Sequence, residues 1–373
     1  MQGSTEHRRR AHRGVLFAFA ALGLAFAVSN VCLTHHSLVP ALQARADAKP
    51  SLRNEGEMPT LDGSTGWLNS AALNRHELRG KVVLISFWTY SCINWRRTLP
   101  YLRAWEAKYR DRGLVIVGVH SPEFEFEKDS ENVRWAIHAM HIDYPVAMDS
   151  NFTIWRAFNN QYWPALYLVD VNGQIRFHQF GEGQYEKGEL VIRQLLAESG
   201  HPVPDGPPAS VQANGIEAPA DWNNVASPEN YVGFERTEGF SSPGGMRRGQ
   251  SVDYSSPGSL AVNSWGLFGN WTADRESIRL NHPGGRIVYR FHARDLHLVM
   301  GPDARGRTVR FRILLDGKPP GASHGEDIDE QGNGTVSEQR LYQLIRQDTP
   351  IRDRQIEIDF LDEGVEAYSF TFG

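Results

Sequence analysis

The stretch Phe87-Trp-Thr-Tyr-Ser-Cys-Ile-Asn-Trp-Arg-Arg-Thr-Leu-Pro100 constrains this chain more than any other. It follows Val82-Val-Leu-Ile85, an apolar run of the kind a buried strand presents. It leads into Leu99, Leu102, Trp105 and Tyr109, spaced three or four apart as one helix face, with Gly113 as the stop. Ser91 is the expected N-cap, which puts Cys92 in the first helical turn. Unpaired N–H groups and the helix dipole favour an anion there, so the thiol is expected to ionise more readily than a free cysteine. Where a C-x-x-C motif needs its second cysteine, the chain has Trp95.

At 373 residues the chain suits two domains with extra segments. Its 39 basic and 44 acidic residues give no basic balance, so no nucleic-acid partner is expected. Two cysteines, Cys32 and Cys92, rule out a disulfide-stapled scaffold. Arg8, Arg9, Arg10 and Arg13 precede an apolar run over residues 14–33, long enough to cross a hydrocarbon core of roughly 30 Å. No arginine follows until Arg45, which puts residues 1–13 inside and the bulk of the chain outside. The run is an uncleaved anchor or a signal peptide; its length favours an anchor in the inner (cytoplasmic) membrane, with both folded domains periplasmic. Ala25-Phe-Ala27 would cut inside the run and Ala46-Asp-Ala48 lies far beyond it. Cys32 reads as an apolar filler at the membrane edge, and residues 34–58 as a tether.

The first folded unit covers residues 59–200. After the cysteine helix comes a strand, Leu114 to His120, then a helix from about Ser130 to Met140. Tyr144 to Ala147 reads as a short strand and Phe152 to Phe158 as a short helix. Ala165 to Val169, a turn at Asn172-Gly173, and Gln174 to Phe177 read as a hairpin, since both turn residues accept positive φ. A helix from Glu186 to Glu198 closes the unit. Strands alternating with helices predict an α/β sheet covered on both faces.

The unit resembles a thioredoxin domain of the TlpA type, and most of all the extracytoplasmic region of DipZ-type thiol–disulfide proteins. Phe87-Trp88 precede the cysteine at that family's spacing, and Pro100 follows where its helix kinks. The words Phe87 to Asn94, Pro122-Glu-Phe-Glu-Phe-Glu-Lys128 and Ala157 to Pro164 carry the likeness further. The resemblance implies Cys92 as nucleophile and Trp163-Pro164 as the cis-proline pair, with Pro164 positioning a substrate backbone. Trp88, Trp95, Trp163 and Glu123 are then expected to touch substrate. Ser86 stands where many thioredoxins have a buried acid, which leaves Glu123 as the best remaining acid. Family members also carry a many-helix membrane domain; here the sequence offers one apolar span.

One thiol can attack a disulfide, but release of the mixed disulfide then needs an external thiol reductant. Thr89-x-x-Cys92 also allows a peroxide-reducing sulfenic-acid cycle, although the proline usual upstream of that motif is missing. The remaining alternative is a redox-inactive scaffold that binds a polypeptide or glycan. Trp95 either shields the thiol or offers an apolar shelf. No cofactor is expected; the expected partners are polypeptide thiols or disulfides.

Residues 201–230, opening with His201-Pro-Val-Pro-Asp-Gly-Pro-Pro208, read as an interdomain linker. In residues 231–373, apolar and polar positions alternate in Ile287–His292, Val309–Ile313, Ile356–Phe360 and Tyr368–Phe372. Roughly eight such strands predict an all-β sandwich or jelly roll. This segment resembles the DipZ C-terminal domain, which is similar to a carbohydrate-binding module. Trp265, Phe268 and Trp271, in text rich in glycine and asparagine, are the candidate platform for an envelope glycan. Asp327-x-Asp329-x-Gln331-Gly332 with Glu338 has the register of a calcium loop, but its flanks are not helices, and no metal site is assigned.

Overall fold

The computed structural model describes residues 52–373. The expected anchor, most of the tether and Cys32 lie outside the described residues. Among the described residues, no helix is long and apolar enough to cross a membrane.

The first half runs β1 (Gly66–Leu68), α1 (Arg75–Leu78), β2 (Val82–Trp88), α2 (Ile93–Tyr109), β3 (Leu114–His120) and α3 (Ser130–Ala139). It continues with β4 (Val146–Met148), α4 (Thr153–Ala157), β5 (Ala165–Val169), β6 (Ile175–Phe180) and α5 (Tyr185–Glu198). Six strands form one sheet in the order β1-β4-β3-β2-β5-β6, with β2, β3 and β4 parallel and the outer pairings antiparallel. Every residue of β2 is buried, because alternate side chains feed two cores. Val82, Leu84 and Trp88 join Leu99, Leu102 and Trp105 of α2 and Ile192 and Leu195 of α5. Val83, Ile85 and Phe87 join Leu78, Ile154 and Phe158 on the other face. At the β5–β6 turn only Gly173 takes a left-handed φ, +83°. Asp170 Oδ1 holds the loop by accepting from the N–H groups of Asn172 (2.9 Å) and Gln174 (3.0 Å).

In the second half every pairing between strands is antiparallel. Its strands are β7 (Asn230–Tyr231), β8 (Ser251–Tyr254), β9 (Ser264–Ala273), β10 (Ile278–Leu280), β11 (Arg286–Phe291) and β12 (Asp295–Pro302). They continue as β13 (Val309–Leu315), β14 (Asn333–Val336), β15 (Arg340–Arg346), β16 (Arg354–Phe360) and β17 (Val365–Phe372). Hydrogen bonds link them in one path, β14-β13-β16-β11-β9-β10-β17-β12-β15, with β7 and β8 at its side. The sequence reading expected two separate sheets. The path stays continuous because β9 pairs with β11 through its first half and with β10 through its second. The two limbs share one core, where Tyr289 lies 4.8 Å from Phe370 and Phe291 lies 5.9 Å from Phe372.

The segment between the halves is a strap rather than a free linker. Glu217 pairs with Arg103 and lies 3.8 Å from Arg96, both on α2. Ala209 N–H donates to Glu189 of α5 at 2.6 Å, and Gly215 and Pro219 carbonyls accept from Arg346 and Arg294. Beyond the strap the halves meet directly. Tyr368 of β17 packs 4.7 Å from Phe126 and 5.2 Å from Phe124.

Candidate active site

β2 ends at Trp88, and four residues later Cys92 stands as the N-cap of α2. Phe87 pairs with Ala165, so Pro164 stands at the end of the sheet from which the Cys92 loop leaves. The Trp163–Pro164 peptide is cis. Trp163 is half-buried and its Nε1 donates to Ser121 O at 3.1 Å.

The cap is Cys92 itself, not Ser91 as the sequence suggested. Ser91 Oγ is taken up elsewhere, donating to Glu127 Oε1 at 2.6 Å. The expected easy ionisation of the thiol is also overturned. Cys92 is partly exposed as a residue, yet burial pushes its thiol up and the Glu123 carboxylate adds to the effect. The backbone N–H groups of Trp95 and Asn94 favour the thiolate without prevailing.

Trp88 and Trp95 do not line a substrate surface. Both are fully buried, and their rings stack at 4.3 Å beneath the thiol loop. His120 stands edge-on to Trp88 at 4.8 Å and parallel to Tyr90 at 5.8 Å. Burial pushes its pKa down to about 3, so it is neutral.

Glu123 is nearly covered, with a side chain 10% exposed, and its carboxylate accepts from Tyr231 OH and lies 3.3 Å from Arg236 Nη1. The buried acid of the site is Glu127, which the sequence reading missed. It accepts from the N–H groups of Glu123 (2.6 Å) and Phe124 (3.0 Å) as well as from Ser91. Burial pushes its pKa up to about 7. A signal was present in Glu123-Phe-Glu-Phe-Glu127: with alternate phenylalanines turned inward, a neighbouring glutamate must follow them or find polar cover.

The glycan platform is corrected as well. Trp265 and Trp271 are fully buried core residues of β9, their Nε1 groups donating to Glu238 O (2.9 Å) and Phe268 O (2.8 Å). Phe268 alone is exposed, at 48%. In the acidic loop, Asp327 pairs with Arg340 at 2.7 Å and Asp329 accepts from Asn333 N–H at 2.8 Å. Among the described residues, no three His, Cys, Asp or Glu side chains converge as metal ligands would.

A family described as thioredoxin-like matches residues 80–175, and one described as thioredoxin like C-terminal domain matches residues 227–373. DipZ proteins of Mycobacterium bovis and Mycobacterium tuberculosis are 34% identical over 332 residues, 88% of this chain. The chain spans 44% of the length of those relatives. The thiol-disulfide oxidoreductase YkuV of Bacillus subtilis is 32% identical over 142 residues, 38% of this chain and 95% of YkuV. A thioredoxin-like protein solved in its oxidized form is 34% identical, covering 38% of this chain and 96% of that one, at a TM-score of 0.36. Together with a cysteine at a helix start and a cis-proline at the same sheet end, the two family matches and the likenesses to DipZ and YkuV assign the chain to the thioredoxin-like, DipZ-type family of thiol–disulfide proteins.

Proposed function

We propose that the protein is a membrane-anchored, extracytoplasmic monothiol oxidoreductase acting on polypeptide disulfides through Cys92. The observation that carries this reading is Cys92 at the start of α2, at the sheet end of the cis Trp163–Pro164 peptide, with Trp95 filling the position of a resolving cysteine. The Cys92 thiolate attacks one sulfur of a substrate disulfide; a new S–S bond forms, the old one breaks, and the other half leaves as a thiolate that takes up a proton. With no second active-site thiol, an external thiol then attacks the mixed disulfide and restores Cys92. Names of relatives such as thiol-disulfide oxidoreductase support this chemistry. The anchor rests on the arginine cluster and apolar run of residues 8–33.

The test is trapping. The full chain carrying Cys32→Ser is incubated with a peptide disulfide and weighed intact without reductant. A mass increase of one peptide half, released by glutathione and missing in Cys92→Ser, is the expected result. A folded protein that gains no mass overturns it. Anchoring predicts that externally added protease digests residues 59–373 in intact spheroplasts; protection until lysis overturns it.

A second reading, a redox-inactive binding scaffold, is favoured by one observation, the upward push that burial gives the Cys92 thiol. An inert thiol in the trapping experiment would select it.

A further inference from the structure

Glu127 ties the Cys92 turn to the Glu123 loop: its Oε1 accepts from Ser91 Oγ at 2.6 Å and its Oε2 from the Glu123 N–H at 2.6 Å. Ser121 N–H donates to Trp88 O at 3.0 Å, which lays the segment leading to Glu123 alongside the one leading to Cys92. From the second half, Tyr231 OH donates to the Glu123 carboxylate. Arg236 Nη1 reaches Glu123 Oε1 at 3.3 Å, and its guanidinium lies 3.4 Å from the centre of the Tyr231 ring. The centre of the Phe124 ring lies 5.8 Å from the same guanidinium. Glu229, two before Tyr231, is the second carboxylate whose charge opposes the thiolate; desolvation of its carboxyl and the Glu123 charge push its own pKa up to about 8. On the cysteine's own helix the backbone N–H groups of Trp95 and Asn94 favour the thiolate. Glu127 stands behind Ser91.

A bare carboxylate beside a thiol resists ionisation of that thiol. A carboxylate whose charge is shared with a guanidinium and a phenol resists it less. The aromatic faces of Tyr231 and Phe124 hold Arg236 where it can share that charge.

We propose that Tyr231 and Arg236, supplied by the second half of the chain, are positioning residues of the thiol site: by engaging Glu123 they set the pH at which Cys92 attacks. This rests on the thiol reading above. It makes the all-β half part of the reactive apparatus rather than a passenger.

The experiment measures the rate of Cys92 alkylation by iodoacetamide against pH in the full chain carrying Cys32→Ser. Arg236→Ala should move the profile to higher pH, slowing alkylation at a fixed pH below the midpoint by roughly tenfold for each pH unit moved. Tyr231→Phe should move it the same way by less. Glu123→Gln should move it to lower pH, and in the double variant Glu123→Gln/Arg236→Ala most of the arginine effect should vanish. A generally loosened site cannot produce shifts of opposite sign. Should Arg236→Ala fail to fold, Arg236→Lys and Glu229→Gln replace it, the latter expected to move the profile to lower pH. Coincident profiles in a chain that still forms mixed disulfides overturn this proposal and leave the thiol reading standing. A thiol inert in every variant overturns both. A thiol inert in the parent but reactive in Glu123→Gln supports the charge clamp and overturns the enzyme.

Discussion

Ser91 Oγ donates to Glu127 Oε1 at 2.6 Å, so the residue before Cys92 is held by a buried carboxylate from a loop 36 residues away. That carboxylate also accepts the N–H groups of Glu123 and Phe124, so it joins the turn between β2 and α2 to the loop that follows β3.

Glu127 titrates with consequences for stability. Burial, the largest cause, and the charge of Glu123 raise its pKa from 4.5 to about 7. Folding therefore favours its protonated form. The stability this contributes is complete below about pH 4.5 and is lost as pH rises through 7, a change on the order of 3 kcal/mol. His120 runs the other way, its stability present above pH 6.5 and lost as pH falls toward about 3. The comparison must therefore be between variants. Glu127→Gln should show a stability difference between pH 4.5 and pH 8 that is smaller than the parent's by about that amount, measured by urea unfolding. An unchanged difference would show that Glu127 does not titrate in this window.

Restoring a cysteine at position 95 should not simply restore a dithiol. Trp95 is fully buried and stacked on Trp88, so Trp95→Cys opens a cavity and should cost about 3–5 kcal/mol under reducing conditions. A loss below about 1 kcal/mol would mean that the site collapses around the smaller side chain.

Arg97 ties the cysteine helix to distant parts of the chain. Its side chain is 2% exposed, pairs with Glu182 at 2.9 Å and donates to Phe372 O at 3.3 Å. Arg97→Met leaves the Glu182 carboxylate, itself 11% exposed, without a partner. The expected loss is about 3–5 kcal/mol, part of it recovered by adding Glu182→Gln. Recovery by the second substitution is the decisive observation; its absence would place the cost in lost packing instead.

Tyr368 joins the halves against Phe124 and Phe126. Calorimetry of the parent should show one unfolding transition. Tyr368→Ala should cost about 3 kcal/mol and split that transition in two. A single transition retained at lower temperature would locate the coupling in the strap and its ion pairs.

The buried strands of the first half were legible because their apolar runs are long and their turn residues distinctive. β3 and β5 have the bounds the pattern suggested. The helix cap was not legible, since what removes Ser91 from that role is a glutamate far along the chain. Nor could one glutamate among three in Glu123-Phe-Glu-Phe-Glu127 be singled out as buried before the loop had a fold. The Trp265–Trp271 stretch misled for a different reason. Its glycines and asparagine suggest an open loop, yet Gly269, at φ +91°, lets β9 turn from one limb to the other while Trp265, Leu267 and Trp271 stay in the core. Strand β1 escaped notice because three residues carry no period.

The contact of Phe124 and Phe126 with Tyr368 bears on how this protein can be handled. A fragment ending near residue 200 would present two parallel rings, 5.6 Å apart, to water. Such a surface invites self-association. The thioredoxin-like half is therefore a poor candidate for a portable module, and fusions or truncations should keep residues 52–373 together.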